Sequence, residues 1–492
     1  MKSLLISALA FFCLALNCSG SKNVTPEPDP DEPETETVSV TATSYLTRAD
    51  ANVRFKKESI TSTVPATLST EKVTLNMDKT YQTVDGFGAA ITGATCYNLL
   101  KMSQSDRTAF LKEIFDRKDG LGSSLIRVSI GASDFPVKTE FTWCDTPGLE
   151  NFGPADEDEE YLFPVLKEIY DINPDVKIIA TPWSAPLWMK TKETWTASSL
   201  KPEYYEDYAQ YFVKWIQYME SLGFNIYAVT PQNEPLNKGN SMSMYMTWKE
   251  QRDFIKTALG PAFEKAGIKT KILVFDHNYN YDNVSSQKKY PLNIYADAEA
   301  SKYIAGSAWH NYGGSVSELS SIIASAPDKE IYFTEASIGT WNYNFSDCLI
   351  NDFDSIFMGT LMRMGKGVTL WNLLLDDKKG PHSSASGACS TCYGAVNINS
   401  SDYKTLDRYS HYYNIAHASK VIKPGAVRIE ASGYSATDFQ YLAFLNTDNT
   451  IGIIMLNKGS ETRTPVFTTD KYSIRMSVPA RSIASLTWTL PE

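Results

Sequence analysis

Two glutamates carry the strongest chemical signal in this chain. Glu234 lies in Tyr227-Ala-Val-Thr-Pro-Gln-Asn-Glu-Pro235, and Glu335 in Ile331-Tyr-Phe-Thr-Glu-Ala336. Each ends an apolar, β-branched and aromatic run that reads as a buried strand. Glycosidic bond cleavage uses such a pair. In the retaining form one carboxylic acid protonates the leaving oxygen, and a carboxylate about 5 Å away attacks the anomeric carbon. The two glutamates are 101 positions apart, so only a fold can bring them together. Asn233 and Pro235 flank Glu234 with an amide and a rigid ring, which restricts the local shape.

The elements that must position them follow from the alternation of strand-like and helix-like segments. Strands are expected at 83–91, 125–133, 176–184, 226–235, 271–278, 306–312, 330–338 and 367–373. Amphipathic stretches lie between them, among others at 98–116, 202–222, 248–266, 352–364 and 407–421. Eight such pairs predict a (β/α)8 TIM barrel over residues 79–422. The competing doubly wound sheet lacks support, because Asp85-Gly-Phe-Gly88 does not have the spacing of a dinucleotide fingerprint. Beyond the barrel only strands recur, at 427–430, 440–446, 450–457, 465–468 and 472–488, separated by Gly, Asn, Asp and Ser turns. Residues 423–492 therefore predict a β-sandwich side domain, which the strand-like segment 38–78 completes from the other chain end.

In a barrel the carboxyl ends of the strands share one mouth. Glu234 ends the fourth strand and Glu335 the seventh, and other strand ends add Arg127, Asp134, Trp183, Asn233, His310, Tyr312, Trp371 and Asn372. Aromatic walls with a few hydrogen-bonding groups suit a pyranose, which offers C–H faces and hydroxyls. Arg127 is placed to pair with Glu234 or Glu335 and so to tune a carboxyl. For His310 the alternative is a satisfied half-buried histidine, and for Trp183 and Trp371 it is plain packing.

Several of these segments resemble glycoside hydrolase family 30, the glucocerebrosidase-like enzymes. They are Gly86-Phe-Gly-Ala-Ala-Ile-Thr92, Ile126-Arg-Val-Ser129, Ser133-Asp-Phe135, Thr181-Pro-Trp-Ser-Ala-Pro-Leu-Trp-Met-Lys190, Ala228-Val-Thr-Pro-Gln-Asn-Glu-Pro235, His310-Asn-Tyr312 and Trp371-Asn-Leu373. The resemblance implies Glu234 as acid/base, Glu335 as nucleophile and Asn233 as the amide for the sugar 2-hydroxyl. It implies that Arg127, Asp134, Trp183, His310, Tyr312 and Trp371 line a glucose pocket, and that a sandwich built from both chain ends flanks the barrel. Gln232 replaces a frequent glutamate, Asn311 replaces an aromatic, and the loop after Pro235 is short. These departures are expected at the mouth, outside the glucose pocket, and count against a ceramide aglycone. Cys389-Ser-Thr-Cys392 is more similar to bacterial and fungal β-1,6-glucanase-like members than to lysosomal ones.

At the amino end, Lys2 precedes an almost wholly apolar run, 4–16, that stops at Cys18. This resembles a lipoprotein signal with lipidated Cys18, and ordinary signal cleavage nearby is the alternative. Residues 19–37 hold four prolines and six acidic residues against Lys22, which predicts a disordered, self-repelling tether. About 470 residues remain, and 43% hydrophobic content suffices for a large core. A net charge of −11 without basic patches argues against nucleic acid and anionic membrane surfaces, which leaves the lipid as the only membrane contact. Of seven cysteines, five remain once Cys13 and Cys18 are set aside, an odd number that argues against a disulfide framework. Cys389 and Cys392 either pair locally or stay reduced, and neither zinc nor a redox role fits their context. The expectation is a monomeric, cofactor-free and metal-free retaining β-glucan hydrolase, cutting β-1,6 linkages by an endo mode, lipid-anchored at the periplasm or cell surface. The alternatives are a glucosylceramidase, an exo-acting β-glucosidase or β-xylosidase, and a catalytically dead glycan-binding lipoprotein.

Overall fold

Eight parallel strands form the sheet that carries the glutamates in the computed structural model, which describes residues 39–62 and 69–491. In chain order they are Gly86–Ala89, Leu125–Ser129, Lys177–Thr181, Ile226–Val229, Lys271–Asn278, Ile304–His310, Glu330–Glu335 and Gly365–Leu370. From the second onward each pairs in parallel with its neighbour in sequence, and the eighth returns to the first with Gly86 opposite Gly367. A bridge from Ala90 to Arg127, with the Ile91 amide donating to the Arg127 carbonyl at 2.9 Å, closes the circle. The closing seam explains Gly86-Phe-Gly88. A Cβ on Gly88 would lie 2.1 Å from the Leu125 carbonyl, so only glycine lets the first strand approach the second.

Several expected strands end sooner than expected. The fourth stops at Val229, since Pro231 has no N–H to continue a ladder and Thr230 and Asn233 turn into the barrel mouth as buried polar groups. The expected helix at 98–116 is two helices, Gly93–Lys101 and Gln104–Phe115. Ser103 caps the second by accepting from the Asp106 amide. The stretch at 248–266 is helical throughout, opened by a capping box between Thr247 and Glu250.

Inside the barrel, Leu125, Ile179, Ala228, Leu273, Ala308 and Tyr332 form an apolar layer. One or two pleats further on stand Arg127, Thr181, Thr230, His310, Thr334 and Thr369, all buried. The period-2 pattern of the strands thus builds an apolar floor under a polar layer.

The side domain is a nine-stranded sheet. Its N-terminal strand Val40–Arg48 lies between Lys56–Ser62 and the last strand Ser482–Thr489, with Thr43 opposite Thr487. In Thr450–Asn457, Ile451, Ile453 and Met455 point into the side-domain core, while Ile454 and Leu456 join the barrel core. Burial on both faces is why that strand reads as a continuous apolar run. The signal at 1–18, lipidated Cys18 and the tether at 19–37 lie outside the described residues. Among the described residues, no helix is long and apolar enough to cross a membrane.

Candidate active site

Asp276 is the hub of the polar layer. It is fully buried and accepts from Arg127 Nη2 at 2.8 Å, Thr230 Oγ1 at 2.7 Å, Thr334 Oγ1 at 2.6 Å and Thr181 Oγ1 at 3.2 Å. His310 Nε2 lies 3.0 Å from Oδ1, the oxygen that Thr334 also reaches, while the other three donors share Oδ2. Burial would raise its pKa, yet Arg127 and His310 hold the carboxyl well below the usual carboxylate range. A register shift between Phe275 and His277 makes this arrangement, with φ of 77° at Phe275 and 63° at Asp276. Left-handed backbone at two successive non-glycine residues stores strain and breaks the strict side-to-side alternation.

Arg127 distributes that charge. Nη1 donates to Glu335 Oε2 at 2.5 Å, and Nη2 to Asn233 Oδ1 at 2.7 Å as well as to Asp276. With its oxygen taken by Arg127, Asn233 has its amide hydrogens to offer a ligand. The guanidinium also sits 4.9 Å from the centroid of Trp183 and 5.5 Å from that of Trp371. The two indoles stack on each other at 5.0 Å and are 1% and 3% exposed. The stack takes up one face of each indole and forms an aromatic wall beside Arg127.

The two glutamates have different neighbours. Glu335 is bound by the guanidinium and by the Tyr312 hydroxyl at 3.0 Å, which also reaches Ser337 at 2.9 Å. Burial pushes its carboxyl up, against the pull of His310 and Arg127. Glu234 has φ of 43°, which turns its side chain back over the mouth. Its Oε2 accepts from Asn237 and Asn240 at 2.7 and 2.8 Å. Its Oε1 lies 3.3 Å from His310 Nδ1 and 3.6 Å from His277 Nδ1. Burial acts on Glu234 too, but the two imidazoles outweigh it and hold the carboxyl low. His310 in turn is drawn up to about 9, against burial, by Glu335, Asp276 and Glu234. The same His310 Nδ1 is 3.9 Å from Glu335 Oε1, so both carboxyls border one nitrogen.

The remaining expected residues fall nearby. Asp134 is buried just past the second strand, its Oδ1 without a hydrogen bond; burial and the negative charge of Glu335 raise its pKa well above the usual range. Asn372 accepts from Thr92 at 2.6 Å. Gln232 is fully buried and donates to the carbonyls of Trp183 and Asn233, so it props the pocket from behind and is not at the mouth as expected. Cys389 and Cys392 form a disulfide beside the short ladder of Ile338–Gly339 with Cys392–Tyr393. At this rim Tyr312 is 45% and Trp341 55% exposed. Asp276, His277, Asn237, Asn240 and Trp341 were not expected from the sequence. A signal existed for the first two, since Val274-Phe-Asp-His-Asn278 ends an apolar strand on polar groups as the Glu234 run does.

A TIM barrel with two differently cradled carboxyls at the carboxyl ends of its fourth and seventh strands defines a glycoside hydrolase. Residues 84–422 match the Glycosyl hydrolase family 30 TIM-barrel domain, and residues 425–486 the family 30 beta sandwich domain. The chain belongs to glycoside hydrolase family 30. Endo-1,6-beta-D-glucanase BGN16.3 of Trichoderma harzianum is 33% identical over 438 residues, 83% of this chain and 84% of that protein. Lysosomal acid glucosylceramidase of Mus musculus is 28% identical over 411 residues, 79% and 78% of the two chains. Among solved structures, the endo-beta1,6-glucanase BT3312 superposes with a TM-score of 0.88 at 50% identity, covering 92% of this chain and 99% of that one.

Proposed function

We propose that this protein hydrolyses β-1,6-linked glucan within the chain, with retention, by a double displacement on Glu335 and Glu234. The unequal surroundings of the two carboxyls carry the assignment of roles. A nucleophile must be an anion, and Glu335 is gripped by a guanidinium that cannot lose its charge. An acid/base must gain and lose a proton, and Glu234 faces two imidazoles, groups whose proton affinity is close to neutral. In the free site that proton rests on His310, and its shift across 3.3 Å to Glu234 arms the acid without changing the net charge.

In the first step Glu335 bonds to the anomeric carbon while Glu234 gives its proton to the departing glycosidic oxygen. In the second, water gives its proton to Glu234 and attacks the anomeric carbon, the ester bond to Glu335 breaks, and the sugar leaves with its original configuration. Asn233 donates to the 2-hydroxyl, Asp134 offers its unpaired oxygen to another hydroxyl, and Tyr312 and Arg127 release Glu335 as it is esterified.

The substrate reading rests on similarity to the endo-1,6-β-glucanases and on the open rim, where Trp341 presents a free indole to a further glucose unit. The glucosylceramidase relatives keep a lipid glucoside as the second reading. Product analysis on β-1,3-, β-1,4- and β-1,6-glucans and on glucosylceramide separates them. Oligosaccharides from β-1,6-glucan with first-formed β-anomer by proton NMR are expected; first-formed α-anomer, or cleavage of glucosylceramide alone, would sink this function. The apolar run ending at Cys18 supports action outside the cytoplasm on a lipid anchor.

A further inference from the structure

We propose that Glu234 Oε1, His277 Nδ1 and His310 Nδ1 form a site for a zinc-class divalent cation. The three atoms lie within 4.8 Å of one another and all three residues are buried. A tetrahedral zinc ion with ligands at about 2.0–2.1 Å separates them by about 3.4 Å along each edge. The two edges that meet at Glu234 measure 3.3 and 3.6 Å, so each imidazole already stands at coordination spacing from the carboxylate, and the edge between the imidazoles lies within 4.8 Å.

The surroundings match what metal-binding histidines use. Such a histidine almost always turns its second nitrogen to a carboxylate, which fixes the tautomer and strengthens the first nitrogen as a ligand. Both imidazoles do so here, His310 Nε2 against Asp276 at 3.0 Å and His277 Nε2 against Asp282. Asn237 and Asn240 hold Glu234 Oε2 and thereby aim Oε1 at the centre. A cation that takes the three atoms displaces the proton that His310 holds toward Glu234 in the free site. The donor set of two nitrogens and one oxygen suits zinc, cobalt(II) or copper(II) and not calcium or magnesium.

The reaction needs no metal, so a bound cation is an inhibitor. That consequence rests on the role of Glu234 proposed above, because a metal on Oε1 removes the acid/base. His277, which the displacement chemistry does not require as a contact, acquires a function as a ligand.

The test uses the intact protein and cobalt(II), whose tetrahedral nitrogen and oxygen complexes absorb in the visible, with zinc as competitor. One ion per chain with a visible band, displaced by zinc, is expected. Asp282→Asn should weaken binding by roughly 10- to 100-fold through loss of the outer carboxylate. His277→Ala and the near-isosteric Glu234→Gln should abolish the band, with circular dichroism and melting temperature confirming that each variant is folded. No band in the wild type, or equal binding in wild type and both ligand variants, would overturn the site. Zinc should also remove activity in parallel with binding and EDTA should restore it. Binding as expected with undiminished hydrolysis would leave the site standing and overturn Glu234 as the acid/base.

Discussion

His417 joins the two halves of this protein, and its replacement should show up as a change in acid stability. It lies on the barrel helix Ser410–Ser419, with Nδ1 2.7 Å from Ser485 in the last strand and Nε2 2.8 Å from Thr47 in the first. It is fully buried with only hydroxyls as polar partners, and burial brings its pKa down to about 3. The unfolded chain binds the proton below about 6.5 and the folded chain only near 3, so stability is complete above 6.5 and falls as the pH drops through that window. At about 1.36 kcal/mol per unit, going from pH 7.5 to 5 costs about 2 kcal/mol from this residue alone. His417→Gln presents an amide to the same hydroxyls and does not titrate. Urea unfolding of both proteins at the two pH values isolates the effect, since every other group is common to them. One such group is Asp158, which burial raises to about 8 and which therefore favours the acid side. The wild type should lose about 2 kcal/mol more than His417→Gln. Parallel losses would refute a neutral, buried imidazole at this seam.

Glu335→Gln should lose several orders of magnitude in rate, and a fluorinated glucoside should label Glu335 in the wild type; Glu234→Ala should keep activity on substrates with good leaving groups and respond to azide, and mass spectrometry with steady-state kinetics checks both. Trp341→Ala should lower kcat/KM roughly tenfold on polymeric β-1,6-glucan while leaving an aryl glucoside unaffected, if its exposed indole holds a glucose unit beyond the reacting one as proposed. Shortening the loop at 378–393, which carries the disulfide, should change the β-1,6 to β-1,3 ratio, whereas Trp371→Ala should depress all substrates alike. Cys18→Ala should move the protein from the membrane to the soluble fraction, since fractionation then tests the only proposed anchor.

What the sequence disclosed were patterns local to one strand. The apolar runs gave eight strands, and polar residues at their ends gave Arg127, Asn233, Glu234, His310, Tyr312 and Glu335. Relations across the barrel were less legible. Asp276 and His277 sit on adjacent positions, and alternation sends neighbours to opposite faces; the shift at Phe275 turns both toward the mouth, which no periodicity reveals. That Trp183 and Trp371 stack on each other is likewise a relation between distant strands that neither segment discloses. Gln232 reads as a mouth residue by its neighbours, yet its side chain turns back to hold two carbonyls.

The placement of Val40–Arg48 between Lys56–Ser62 and Ser482–Thr489 has a consequence for biosynthesis. Val40–Arg48 can form its hairpin with Lys56–Ser62 early in synthesis, but its other edge stays bare until Ser482–Thr489 has been made. The barrel is therefore threaded between two segments that complete one sheet, and no nascent fragment lacking Ser482–Thr489 presents a finished side domain. Loss of Ser482–Thr489 leaves Val40–Arg48 paired along the Lys56–Ser62 edge alone.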